Sequence, residues 1–201
     1  MTMHALVLDG FKSDDSRKEQ LRRVLVAEIE KKKMTYKWVE LDGLNIAPCR
    51  GCFSCWVQTP GICVIEDDAI EVARMTAQCD LLVYVTSVVF GGVSPILKSA
   101  LDRNICLVHP FFEKVNGETH HKKRYKHYPP MVAVGVLNED DTDGRALFAR
   151  LLSRMSINHR SQGHSSLTVP ESLLIDPDNE KSEVLHRDLF VLLDSVVVMK
   201  K

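Results

Sequence analysis

Short apolar runs alternate with stretches of helical periodicity along the whole chain, and that rhythm leaves few folds open. Met3 to Leu8 (MHALVL) suits a strand buried on both faces. After the polar loop Asp9 to Ser16, residues Leu21, Val24, Leu25 and Ile29 mark the inner face of a helix reaching about Lys32, with the acid Glu28 on the same face. Met34 to Leu41 alternates more and reads as an edge strand. Asp67 or Asp68 caps a helix through about Gln78 by accepting free backbone N–H groups. Cys79 to Thr86 (CDLLVYVT) is the clearest central strand, and Pro95 sits in the first turn of a helix running to about Leu107. Pro130 to Asn138 is a fourth strand, followed by a helix from Thr142 to Asn158, a short fifth strand near Ser165 to Val169 and a last helix from about Asp178 to Met199. Residues 108–129 are polar, basic and aromatic, and read as an excursion above the sheet, either a mobile lid or a subunit contact.

Five strands alternating with five helices define an α/β fold: a doubly wound, five-stranded parallel sheet with helices on both faces. Ligands of such sheets bind at the carboxyl ends of the strands, the edge onto which loops beginning at Asp9, Ser87 and Asn138 would open. No repeat, low-complexity tract or Gly/Ser linker interrupts residues 1–201, which read as a single domain. A net charge of −1 gives no reason to expect a nucleic-acid or membrane-surface partner. The apolar run at the N-terminus is too short for a signal peptide or a membrane span, so the expected location is the cytoplasm.

In that reducing compartment, six cysteines are not expected to form structural disulfides. Cys49, Cys52, Cys55 and Cys63 fall in one segment, P-C-R-G-C-F-S-C-W-V-Q-T-P-G-I-C, which points to metal or redox chemistry. Three cysteines at three-residue intervals can converge when the backbone curls, and a return of the chain brings the fourth; Gly51 and Gly61 ease the turns. Thiolates in tight runs are typical iron–sulfur ligands. Zinc also takes four thiolates, usually on two separated knuckles, and buried thiols can simply pack a loop without metal. All three readings stay open at this point. Cys79 and Cys106 fall in a strand and a helix and read as core.

Two loops could hold a flat, phosphorylated ligand. D-G-F-K-S-D-D-S-R offers Gly10, Lys12, Ser13, Ser16 and Arg17 ahead of a helix, along with Asp9, Asp14 and Asp15, which repel a phosphate unless they point outward. The alternative is a capped helix start with solvated charges. T-S-V-V-F-G-G-V-S-P places Gly91 and Gly92 at a strand's carboxyl end, where backbone can approach a ring system closely, and Phe90 could flank that ring. The alternative there is a plain turn. His120, His121 and His127 match no strong metal-ligand spacing.

Together these residues resemble the iron–sulfur flavoproteins and the related NAD(P)H-dependent FMN reductases of the flavodoxin-like superfamily. The resemblance runs from Met3 to about Asn138. It is most specific in C-R-G-C-F-S-C-W…P-G-I-C-V-I-E-D-D and F-G-G-V-S-P-I-L-K-S-A-L-D-R. It implies a flavodoxin-like sheet of strand order 2-1-3-4-5, a homo-oligomer (dimer or tetramer), and an FMN-dependent NAD(P)H oxidoreductase or electron-transfer protein with a small-molecule or protein donor and acceptor. By the same resemblance Cys49, Cys52, Cys55 and Cys63 would ligate a 4Fe-4S cluster. Thr86, Ser87, Phe90, Gly91 and Gly92 would surround the isoalloxazine, and Lys12, Ser13 and Ser16 would meet the FMN phosphate. No side-chain acid, base or nucleophile is required for the flavin chemistry. The chain departs from the family where Asp9, Gly10 and Phe11 replace the usual opening of the first loop, where Arg17 stands for an expected threonine, and where Ser87, Val88 and Val89 replace Pro, a variable residue and Tyr. Two other functions remain: a flavin or quinone reductase whose cysteines are structural, and a non-enzymatic flavodoxin-like binding protein that has lost FMN.

Overall fold

The computed structural model describes residues 2–138, 141–175 and 179–197. The elements follow the alternation of the sequence: β1 (His4–Asp9), α1 (Arg17–Lys31), β2 (Thr35–Glu40), α2 (Ser54–Val57), α3 (Ala69–Gln78), β3 (Leu81–Ser87), α4 (Pro95–Arg103), β4 (Val108–Val115), β5 (Glu118–Lys123), β6 (Met131–Leu137), α5 (Thr142–Asn158), β7 (His164–Pro170), α6 (Ser172–Ile175) and α7 (Asn179–Val197). The expected ends of the last helix, Asp178 and Met199, lie outside the described residues.

Five strands pair in parallel in the order β2-β1-β3-β6-β7. The three central strands are buried almost throughout, which is why they read as unbroken apolar runs, whereas β2 on the edge leaves its first three residues exposed. Side chains alternate between two cores. Ala5, Val7, Val83, Val85, Val132 and Val134 face α1 and α7. Leu6, Leu8, Leu82, Tyr84 and Ala133 face α4 and α5, through Leu97, Leu101, Phe148 and Leu152. The acid on the inner face of α1 is accommodated: Glu28 is buried, and Lys31 and His186 both bond its carboxylate.

Gly135 of β6 belongs to the second face. A Cβ there would sit 2.6 Å from Val88 Cγ2 and 2.8 Å from Phe148 Cε1, so the loop after β3 and the helix α5 close over it. Gly135→Ala is expected to cost about 1–2 kcal/mol by overpacking, measured as a lower urea midpoint with an unchanged slope.

The excursion at residues 108–129 carries regular structure. β4 and β5 form an antiparallel hairpin, turned at Asn116 and Gly117. Its alternation is carried by aromatic, histidine and charged residues instead of aliphatic ones, and cross-strand pairs hold it: the Phe112 and His121 rings lie 4.7 Å apart, and His121 in turn meets Trp56 at 4.9 Å. The helix expected to reach Leu107 ends at Arg103, and a 3-10 turn, Asn104–Leu107, delivers the chain into the hairpin.

Candidate functional site

Two places gather the chemistry-bearing residues, at opposite ends of the sheet. At the carboxyl edge, the loop after β1 lies beside the loop after β3. Ser94 stitches them together: its hydroxyl donates to Gly10 O at 2.6 Å and accepts from Leu97 N at 3.2 Å, capping α4, while its amide donates to Thr86 Oγ1 at 2.9 Å. The Thr86 hydroxyl also donates to Ser87 O and is fully buried, so its polar capacity is spent inside the rim. Val89 and Gly92 exchange both backbone bonds at 2.9 Å. The turn between them places Phe90 and Gly91 at positive φ, 49° and 73°, with Phe90 fully exposed at its tip. Gly91 faces Leu147 of α5, where a Cβ would come within 2.6 Å of Leu147 Cβ, so its missing side chain admits α5.

Lys12, Ser13 and Ser16 are exposed at the start of α1. The Ser13 amide donates to Asp42 at 2.8 Å, and Ser16 is the N-cap residue without a side-chain cap bond. Asp15 takes the place at the helix start that suits an anion: its carboxylate accepts from Arg17 N at 3.0 Å, Nε at 2.8 Å and Nη2 at 2.6 Å. The Arg17 bonds hold the Asp15 carboxyl below the usual carboxylate range. Arg17 then reaches across the edge to Glu171, beyond β7, and to Ser87 Oγ at 3.1 Å. Asp9 turns inward, accepting from Phe11 N and Trp38 Nε1, and burial raises its pKa. The exposed cation and hydroxyls at a helix start suit a phosphate in kind; the internal Asp15 carboxylate competes for the same ground.

The cysteines occupy the other end. Cys49, Cys52, Cys55 and Cys63 all line one cavity of about 690 Å³, whose walls include Leu82 and Met131 at the amino ends of β3 and β6 and Arg103 and Asn104 at the end of α4. From Leu82 to Ser87 the strand covers about 16 Å, at ~3.3 Å per residue. Gly51 and Gly61 adopt positive φ, as the turns require, and so does Phe53. Cys55 is buried; burial and then the charges of Cys63, Cys49 and Cys52 raise its thiol pKa, so the four sulfurs feel one another. Bonds from Ser54 lower that of exposed Cys52. Among the described residues, no three His, Cys, Asp or Glu side chains converge into a set that could hold a metal ion. A single zinc would need four sulfurs at about 2.3 Å from one point. Cys79 and Cys106 are buried as core residues, and burial pushes the Cys106 thiol up to about 12.

His159 lines the same cavity, and its poorly solvated surroundings push its pKa from 6.5 down to about 4. It is neutral in the folded protein, while the unfolded chain takes up a proton below about 6.5. Stability should therefore fall as pH drops from 6.5 towards 4, by about 1 kcal/mol or more from this residue. Urea unfolding across that range should show a weaker pH slope in His159→Gln.

Sequence reasoning found the cysteines and both loops. It missed Asn104 on the cavity wall, and the ion pairs Arg103–Asp67 and Arg17–Glu171, whose members lie far apart along the chain.

The sheet order and the paired loops at its carboxyl edge define a flavodoxin-like α/β protein. Solved structures agree on the fold. The NAD(P)H:quinone oxidoreductase from Methanothermobacter marburgensis superposes with a TM-score of 0.68 at 12% identity, covering 95% of each chain. The FMN-dependent NADH-azoreductase from Bacillus anthracis in complex with FMN gives 0.65 at 10% identity, covering 98% of this chain and 100% of that one. The chain belongs to the NADPH-dependent FMN reductase family, whose model matches residues 3–127. An iron-sulfur flavoprotein of Archaeoglobus fulgidus is 25% identical over 118 residues, 59% of this chain and 53% of that protein. The chain spans about half the length of the curated relatives it matches. Among the described residues, no helix is long and apolar enough to cross a membrane.

Proposed function

We propose that residues 1–201 form a single-domain, cytoplasmic, FMN-dependent oxidoreductase that takes electrons from NAD(P)H or a protein donor, with a 4Fe-4S cluster on Cys49, Cys52, Cys55 and Cys63. The observation that carries the flavin reading is the Ser94 stitch, which sets the phosphate-type loop beside the exposed Phe90 turn at the carboxyl edge. Membership of the FMN reductase family supports it. The cluster reading rests on four thiols sharing one cavity.

When bound, FMN would accept a hydride's two electrons and release them singly or in pairs, and a cluster would carry single electrons. The chain's own task is placement. Lys12, Ser13 and Ser16 would hold the phosphate at the start of α1. Ser87, Gly92 and the backbone of the turn would line the ring, with Thr86 acting from behind by fixing Ser94, Gly91 by admitting α5, and Phe90 flanking the ring and limiting water. Exposed Phe90, Phe111 and Phe112 offer apolar surface for a homodimer or tetramer.

An anaerobic visible spectrum with flavin, iron and sulfide assays tests the reading, followed by NADPH oxidation. Flavin with about four irons per chain supports it in full. Flavin without iron makes the protein a reductase with structural cysteines. Protein that refuses added FMN turns the case towards a binding role, which the Asp15–Arg17–Glu171 chain of charges at the flavin edge favours.

A further inference from the structure

One side chain closes the neck of the cysteine loop. Arg103, the last residue of α4, is 2% exposed. Its Nη1 donates to Ala47 O at 2.8 Å and to Asp67 Oδ2 at 2.6 Å; its Nη2 donates to Ile65 O at 3.1 Å and to Asp67 Oδ1 at 2.9 Å. Ala47 lies two residues before Cys49 and Ile65 two after Cys63, so the guanidinium ties both ends of the cysteine segment to one point.

Those bonds account for four of the five N–H donors of the guanidinium. The fifth, Nε, is buried without a hydrogen-bond partner among the described residues. The next residue repeats the pattern: Asn104 is 3% exposed, and neither its Nδ2 nor its Oδ1 finds a partner. Both residues line the cavity that the four cysteines share. A buried donor without an acceptor is costly, so two adjacent ones on the wall of a thiol-lined cavity mark the place of an acceptor. Sulfur carrying negative charge is an acceptor of the right kind.

The geometry points to Arg103 and Asn104 as a positioning pair for the cysteine site: their unpartnered N–H groups donate to sulfur of the cluster held by Cys49, Cys52, Cys55 and Cys63 and thereby raise its reduction potential. This rests on the cluster reading given above. Adding one electron makes the cluster more negative, so N–H donors and the Arg103 charge stabilise the reduced form more than the oxidised one. The pair touches sulfur and not substrate, so its effect is on potential and retention of the cluster.

The test compares wild type, Asn104→Leu and Arg103→Lys, each purified anaerobically as the full chain. Iron and sulfide are assayed, and dithionite titration followed by electron paramagnetic resonance gives the midpoint potential. Asn104→Leu removes donors without stranding a charge and is expected to keep its iron while becoming about tenfold harder to reduce, about 59 mV for a one-electron couple. Arg103→Lys keeps the charge but not the Nε–H, and is expected to shift in the same direction and to lose iron faster to a chelator. Should Arg103→Lys fail to fold, Asn104→Leu decides. Iron-loaded variants with the wild-type potential and chelation rate would overturn the inference alone. Wild-type protein lacking iron and sulfide would overturn the cluster reading and this inference with it.

Discussion

Asp67→Ala is expected to destabilise the fold by about 3–5 kcal/mol, the cost of stranding one member of a buried ion pair. The Asp67 and Arg103 side chains are 3% and 1% exposed, and both Asp67 oxygens bond the guanidinium. The same carboxylate accepts from Ala47 N at 2.9 Å and Ala69 N at 3.1 Å, the latter at the start of α3. Burial opposes the charge on both partners, but their mutual bonds prevail, holding Asp67 below and Arg103 above their usual pKa values. Alanine would leave the guanidinium buried with two loop carbonyls and no carboxylate. Set against total stabilities of about 5–15 kcal/mol, that loss is severe. Urea unfolding is the measurement; a loss below about 1 kcal/mol would mean that water reaches the pair and that it behaves as a surface bridge.

Asp15→Asn is expected to tighten FMN binding ten- to hundredfold and to leave riboflavin binding unchanged. The Asp15 carboxylate now occupies the anion position at the start of α1 and engages Arg17 through three bonds. Removing its charge opens the Nε and Nη2 side of Arg17 to a phosphate while Glu171 still holds Nη1, and a hydrogen bond to a charged group is worth about 1.5–3 kcal/mol. Riboflavin lacks the phosphate, so it separates this effect from any change at the ring. Titrations at fixed, moderate salt check the difference, because part of it is electrostatic and screened. Weaker FMN binding in the variant would mean that Asp15 orders the loop for its ligand and does not compete with it.

Period and spacing made most of the fold legible. The central strands announce themselves as apolar runs, and α5 spans Thr142–Asn158, about where a helix is expected after the fourth apolar run. The hairpin was hidden because Phe112, His121 and their neighbours build its pairing without aliphatic alternation, so its residues look like loop. Helix capping was half legible: Asp67 does accept from Ala69 N, but the carboxylate of Asp68 turns away to accept from Asn45 N. At the sites, motif spacing reveals Cys49 to Cys63 and the glycine turn. It does not reveal that Arg17 meets Glu171, 154 residues away, or that Arg103 meets Asp67, 36 residues away. Such pairs are made by the tertiary fold, and nothing local to either partner signals them. Nor does spacing say that the cysteines and the glycine turn lie at opposite ends of β3.

The Ser94 stitch has a kinetic meaning. Its three bonds tie the β1 and β3 loops to each other and to α4, and Leu147 wedges against Gly91 from the far side. A rim fastened in this way reaches a ligand already shaped, so little conformational freedom is left to surrender on association. Differences in affinity among planar ligands should then reside in how long each one stays, with nearly common rates of arrival.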